Sequence, residues 1–340
     1  MTLKQLQHKL KNSAVFSTEI LTWINQQNYW NLWVPKSYGG LEKSFSEGLK
    51  TLQSLARIDG SLGWTITLCS GANFFIGNMN PQLAKELFTD KKTTVLGGSG
   101  GVFGTAEKQG ENYLLNGTWR YATGAPYLTH FTLNAKITAN GFPIKDENGK
   151  EKILSFVLPK NRVEVIEDWN TMGLKATATC SFKVENVLIS QKNTFIYNKF
   201  HLSQAIFKVD FSAFADLTLM INYIGMIEHY LIESKKVSSN SYLKELENLL
   251  KKSNEEVYFF AEEIEKTIQK NQKIKQDFLE KLHKTCADYI LEFSVKLIKI
   301  HPLLGMKAAR NNHILNQIFR DYFTATQHHN FVDRKPNLKA

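Results

Sequence analysis

Cysteine is scarce in this chain. Cys69, Cys180 and Cys286 are the only three in 340 residues, far apart and in no C-x-x-C arrangement. That excludes a disulfide framework and a thiolate zinc site, so no metal site is assigned, and it fits a reducing cytoplasm. Long apolar runs are lacking too. No stretch of about 18 apolar residues is present, so no membrane span is expected. The opening "MTLKQLQHKLKNSAVFSTEILTWI" mixes charged and apolar residues at helical spacing, with no continuous apolar core that would mark a signal peptide. The net charge of +10 comes mostly from lysines spread along the chain. They are densest over residues 235–300, where they alternate with glutamate as on a solvated helix face. With no aromatic-basic stripe and no groove-reading motif, nucleic acid is not an expected partner. Finally, "GGSGGVFGTA" over 97–106 is glycine-rich, yet it has neither the lysine nor the following helix of a phosphate-cradling loop.

What is present falls into three segments of different period, an α+β multidomain pattern. Residues 1–92 read as a helical domain. In "SEGLKTLQSLARIDGSLGW", Ser46 and Glu47 look like a capping box, and Leu49, Leu52, Leu55 and Ala56 recur at helical spacing. Asp59-Gly60-Ser61 ends one helix and caps the next. Upstream, "VPKSYGGLE" is a loop in which Pro35 blocks helix entry and Gly39-Gly40 permits positive φ. Over 93–203 the period becomes two. Tyr113, Leu115, Trp119 and Tyr121 are expected on one face, and Phe131, Leu133, Ala135, Val163, Val165, Phe182 and Val184 continue the alternation. Turn signals at Asn116-Gly117, Asn140-Gly141 and Asn148-Gly149 divide a β-barrel or sandwich of about six to eight strands. Residues 204–335 are helical again. Helices are expected near 205–234, 241–271, 274–300 and 305–328, a four-helix bundle of antiparallel members.

The order helical domain, β-domain, four-helix bundle resembles the acyl-CoA dehydrogenase superfamily, and local motifs extend the resemblance. "LWVPKSYGG" and "LARIDGSLGW" are similar to its N-terminal signature, "FGTAEKQGENYLLNGTWRYATG" to its first β-hairpin, and "WNTMGLKATATCSFKVENVLI" to its later W-x-x-x-G-L-x-x-T/S strand pair. The resemblance implies a flavin, FAD or FMN, lying between β-domain and bundle. Taken alone, Tyr121 is an ordinary core aromatic and Thr123 a turn residue before Gly124. The resemblance instead gives Tyr121 packing against the flavin and Thr123 a hydrogen bond near its N5, both expected on one strand face. It likewise implies polar contacts from Ser99 and Thr105 and a cofactor role for Arg320.

The superfamily's best-known reaction, α-proton abstraction from an acyl-CoA, needs a carboxylate base. Nine positions after Arg320, where that glutamate is expected, stands His329, and the first bundle helix offers only Asp216. The spacing Arg320, Asp321, His328 resembles a different branch, the two-component flavin monooxygenases. These take reduced flavin from a separate reductase, form a C4a-hydroperoxide with O2 and use a histidine as base or proton donor. At about 100° per residue, a helix through this stretch would set Arg320, Thr324, Gln327 and His328 on a polar arc. His329 would then lie with Leu315, Ile318, Phe319, Tyr322 and Phe323. The leading expectation is therefore a flavin-dependent monooxygenase with His328 and Thr123 as catalytic residues, acting on a small molecule. The alternatives are an acyl-CoA dehydrogenase with a displaced base such as Asp216, and a non-catalytic oligomeric binding protein that keeps only Gly305 and Arg310 of a flavin-phosphate loop. Assembly into dimers or tetramers through the bundle is expected.

Overall fold

The computed structural model describes residues 1–88 and 93–331. The expected boundary at residue 92 and the expected end of the last segment at 335 lie outside the described residues. Five helices come first: α1 (Leu3–Leu10), α2 (Thr18–Gln26), α3 (Phe45–Ile58), α4 (Gly60–Asn73) and α5 (Pro81–Leu87). The capping box of α3 is formed by Ser44 with Glu47, because Ser46 already lies inside the first turn. Asp59 ends α3 and caps α4, its carboxylate accepting the Leu62 N–H at 2.9 Å. Helix α4 is buried on nearly every side, enclosed by its neighbours.

The strands are β1 (Leu96–Gln109), β2 (Asn112–Ala122), β3 (His130–Ala139), β4 (Phe142–Pro143), β5 (Ile153–Pro159), β6 (Glu164–Ile166), β7 (Cys180–Ser190) and β8 (Thr194–Phe195). They form one 8-stranded sheet in the order β6-β7-β2-β1-β3-β5-β8, with β4 beside β3. The glycine-rich stretch is the first half of β1, running parallel to β3 with register shifts at Ser99/Val102 and Val102/Gly104. Asn140-Gly141 is a turn with positive φ at both residues, but Asn116-Gly117 is not. It lies within β2 at a bulge opposite β7, and the β1–β2 reversal falls at Gly110 instead. A second bulge between Trp119 and Ala122 places Tyr121 at φ 68°. That inserted residue shifts the alternation, so Tyr121 is 65% exposed while Trp119 and Ala122 are buried.

The last third holds α6 (Phe211–Lys235), α7 (Ser241–Gln269), α8 (Gln276–Ile300), α9 (Met306–Ala309) and α10 (Ile314–Ala325). Helix α6 starts at 211 rather than 205 because Asp210 caps it, accepting from Ser212 N at 2.8 Å. It is buried along most of its length against α3, and a Cβ on Gly225 would lie 2.5 Å from the Gln53 carbonyl oxygen. Helix α7 buries an apolar stripe with Leu243, Leu246, Leu250 and Val257 and α8 one with Leu282, Cys286 and Phe293, and their outer faces carry pairs such as Lys266–Glu263 and Lys284–Asp288. The helix expected over 305–328 is broken. Gly305 sits at φ 72°, His313 caps a new start, and α10 stops at Ala325, whose carbonyl accepts the Tyr223 hydroxyl at 2.7 Å. All three cysteines are free and buried. Among the described residues no helix is long and apolar enough to cross a membrane.

Helix α10 is joined to the loop before β7 by two adjacent residues. The buried Asp321 carboxylate accepts the Leu174 N–H at 2.6 Å, and Arg320 donates to the Met172 carbonyl. The approach is so close that a Cβ on Gly173 would lie 2.2 Å from the Arg320 carbonyl oxygen, which is backbone and unable to swing aside. Gly173→Ala is therefore expected to destabilise the fold by about 2 kcal/mol or more, read as a lower denaturant midpoint. Asp321 also faces Asp59, which accepts from Gln317 Nε2 at 2.8 Å. Burial raises both carboxyl pKa values, and the charge of Asp59 raises that of Asp321 further. The folded pair thus holds protons that the unfolded chain has already released, and stability is lost as pH rises through the range where the pair ionises. The melting temperature is expected to fall between about pH 4 and 7, from the ordinary carboxylate range up to the raised range of the folded pair. It should fall less in Asp59→Asn, which keeps the helix cap. A wild-type melting temperature that holds or rises across that range contradicts the assignment.

Candidate functional site

Five stretches of chain converge on one cavity of about 320 Å³, within the size range of small-ligand sites. Helix α4 contributes Thr67 and Gly71, and β1 contributes Gly97 to Gly100. The end of β2 brings Thr123, α6 brings Phe214 and Thr218, and the segment after α10 brings His328 to Asn330. The glycines matter for access. A Cβ on Gly100 would meet nothing within 4 Å, and one on Gly71 would meet only the Phe214 ring at 3.6 Å. A flat ligand can therefore approach the backbone at both places. One end of the cavity is aromatic: Phe75 stacks on Tyr197 with centroids 4.8 Å apart, and Tyr197 meets Phe211 at 4.7 Å. None of the described lining residues is an aspartate or glutamate.

Of the residues singled out in the sequence, Ser99, Thr123 and His328 line this cavity and Tyr121, Thr105 and Arg320 do not. Thr123 is 6% exposed, whereas Tyr121, across the bulge, points outward. The two were expected on the same strand face, and the inserted residue with left-handed backbone is why they are not. Thr105 is an exposed position on β1. Arg320 stands at a second, polar cavity and is engaged there: Nε donates to Asn316 at 2.7 Å, and its Nη atoms reach Met172, Asn311 and Asn12.

The histidine pair is also arranged differently from the helical-phase expectation. Because α10 ends at Ala325, residues 328 and 329 no longer follow its phase. His328 turns inward and meets the Trp64 ring edge-on at 5.6 Å, while His329 is exposed. Burial, with the neighbouring His329 adding to it, pushes the His328 pKa down to about 4, so the imidazole is neutral at pH 7. Its Nδ1 accepts the Asn330 N–H at 3.4 Å, which leaves the ring proton on Nε2. Asn330 is held in turn, its amide donating to Asp216 at 2.7 Å. Asp216 is therefore buried one layer behind the cavity, also bonded to His283 at 3.0 Å, and burial raises its pKa.

Sequence reasoning passed over Thr177 and Thr179. Thr179 Oγ1 lies 3.1 Å from Thr123 Oγ1 and 2.7 Å from Thr177 Oγ1, and Thr177 donates to the Leu174 carbonyl at 2.7 Å. Their loop is shaped by two non-glycine residues with left-handed backbone, Leu174 at φ 50° and Ala178 at φ 43°. Such strained positions concentrate at functional sites. The available signal was the "GLKATATC" end of the W-x-x-x-G-L motif, where threonines stand two apart.

No family model matches the chain. Among curated proteins it is 27% identical over 231 residues to indole-3-acetate monooxygenase of Acinetobacter baumannii, covering 67% of this chain and 57% of that protein. It is 20% identical over 174 residues to the oxygenase subunit HsaA of a flavin-dependent monooxygenase of Mycobacterium tuberculosis, covering 51% and 42%. The matched stretch thus spans about half the length of these relatives. The structure superposes on XiaF from Streptomyces, solved with FADH2 and glycerol, with a TM-score of 0.87 at 17% identity over 97% of this chain and 89% of XiaF. It superposes on M. tuberculosis HsaA with a TM-score of 0.88 at 14% identity over 97% and 91%. The chain has the acyl-CoA dehydrogenase-like fold, and its homologues are flavin-dependent monooxygenases of that superfamily.

Proposed function

We propose that this protein is the oxygenase component of a two-component flavin-dependent monooxygenase that works in the cytoplasm and assembles as a dimer or tetramer. It takes reduced FMN or FAD from a separate reductase and adds oxygen to a small aromatic molecule. The observation that carries the reading is the cavity itself, where Thr123, Ser99 and neutral His328 meet over a glycine-lined wall and, among the described residues, no carboxylate reaches the lining. The residues fit a flavin ring. Gly71 and Gly100 leave room for a planar face, and Ser99 and Thr123 supply polar atoms for the ring edge. Bound reduced flavin supplies the reaction with activated oxygen.

The chain's own residues do the rest. Phe75, Tyr197 and Phe211 favour an aromatic substrate at one end of the cavity. Trp64 and the Asn330 N–H fix the plane and tautomer of His328, so that Nε2 holds a proton available to a substrate or product oxygen. A dehydrogenase built on Asp216 draws no support from the geometry, since that carboxylate is already engaged by Asn330 and His283 behind the cavity.

The test combines the protein with a flavin reductase, NADH, FMN or FAD and a panel of phenols and indoles under ¹⁸O₂. One labelled oxygen in the product is expected. His328→Ala is expected to lower the hydroxylation rate by about 10² or more while flavin binding persists, the usual scale of a lost acid–base group. Absence of label together with anaerobic bleaching of bound oxidised flavin by an acyl-CoA would establish the dehydrogenase instead.

A further inference from the structure

We propose that Thr177 and Thr179 form a one-way hydroxyl relay that makes Thr123 a hydrogen-bond acceptor toward the cavity, so that the site selects reduced over oxidised flavin. The inference rests on the reading above, with N5 as the ring-edge atom that Thr123 meets. A hydroxyl has one proton to donate, and here each proton can be traced. The Leu174 carbonyl only accepts, so the single proton of Thr177 goes to it at 2.7 Å. Thr177 Oγ1 can then only accept from Thr179 at 2.7 Å, which uses the proton of Thr179. Thr179 Oγ1 can in turn only accept from Thr123 at 3.1 Å. The chain of donation runs from Thr123 to Thr179 to Thr177 to Leu174, and Thr123 has no proton left for the cavity. What it presents there is a lone pair.

Burial keeps this direction in place. Thr123, Thr177 and Thr179 are 6%, 0% and 7% exposed, so no bulk water competes for their protons. The end of the relay is anchored as well. The Leu174 carbonyl also accepts from Trp169 Nε1 at 3.0 Å, and the Leu174 N–H is bound by Asp321 at 2.6 Å. The Thr177 carbonyl accepts the Gly124 N–H at 2.8 Å, which ties the relay loop to the residue after Thr123. Such satisfaction is not automatic in this chain, since the buried hydroxyls of Thr65 and Thr324 have no partner among the described residues.

The redox consequence follows from elementary flavin chemistry. N5 of reduced flavin carries a hydrogen and donates, whereas N5 of oxidised flavin presents a lone pair and needs a donor. A Thr123 locked as acceptor satisfies the first and opposes the second. Thr177 and Thr179 are thus positioning residues, acting through Thr123.

The experiment is anaerobic titration of the protein with FMN and FAD, each oxidised and dithionite-reduced, comparing the two dissociation constants. The wild type is expected to bind the reduced form more tightly. In Thr179→Val the Thr123 hydroxyl is released from the relay and can turn its proton inward. The preference for reduced flavin is then expected to fall about five- to tenfold, the scale of one net hydrogen bond. Thr179→Ser, which restores the hydroxyl, is expected to keep the wild-type ratio. Should Thr179→Val fail to fold, Thr177→Val cuts the same relay one step earlier and carries the same expectation. A wild type that binds reduced flavin but shows the same ratio in the valine variants overturns the relay and leaves the oxygenase reading standing. A wild type that binds neither flavin form overturns both.

Discussion

The hydrogen bond from the Leu174 N–H to the buried Asp321 carboxylate is the contact on which the site depends. It joins two stretches of chain that are 147 residues apart, the loop before β7 and the last helix. An ionised carboxylate accepting a backbone N–H in a dry interior is a strong bond, and the same burial makes the charge costly. That cost, with the charge of Asp59 added to it, raises the Asp321 pKa, so the two acids are not both fully ionised near neutrality. Arg320, next along the helix, adds bonds to backbone carbonyls of two loops. Together the two residues hold the sheet, α4 and α10 at fixed distances.

The cavity lies where those three elements and α6 leave space. Its floor is backbone because the β1 glycines have no side chains to fill it, and one end is aromatic because α6 and the segment after β8 bring rings inward. Its polar atoms are held by neighbours one layer out: Thr123 by Thr179 and Thr177, His328 by Asn330 and Trp64, and Asn330 by Asp216. That second layer is what a site needs if its reacting groups are to hold one orientation. It also explains why motif residues that touch no cavity occur in the chain. Trp169 and Thr177 both donate to the Leu174 carbonyl, which keeps the strained loop in shape.

Much of the fold was legible in the residues. Serine, asparagine and aspartate caps, the change of period near residue 93, and the apolar stripes of the long helices are local signals, and each marks an element in the structure. The site was legible in part. Ser99, Thr123 and His328 were picked out and do share one cavity, yet Tyr121, Thr105 and Arg320 face elsewhere. The misplacements have definite causes. A bulge adds one residue to β2 and reverses the face of Tyr121, and the energy that sets the bulge comes from pairing with β7, not from β2.

The sequence by itself determined the order of elements, their caps and the residue types that meet at the site, because these rest on interactions between near neighbours in the chain. Only the tertiary structure decided which histidine turns inward, which way Thr123 presents its hydroxyl, and that Arg320 clamps loops together. Helix α10 stops at Ala325 with the hydroxyl of Tyr223 on its last carbonyl, and the polarity of Thr123 is set by a carbonyl 51 residues further along, at Leu174. Contacts of that kind join groups that no local period or spacing brings together, so they become readable only once the chain has folded.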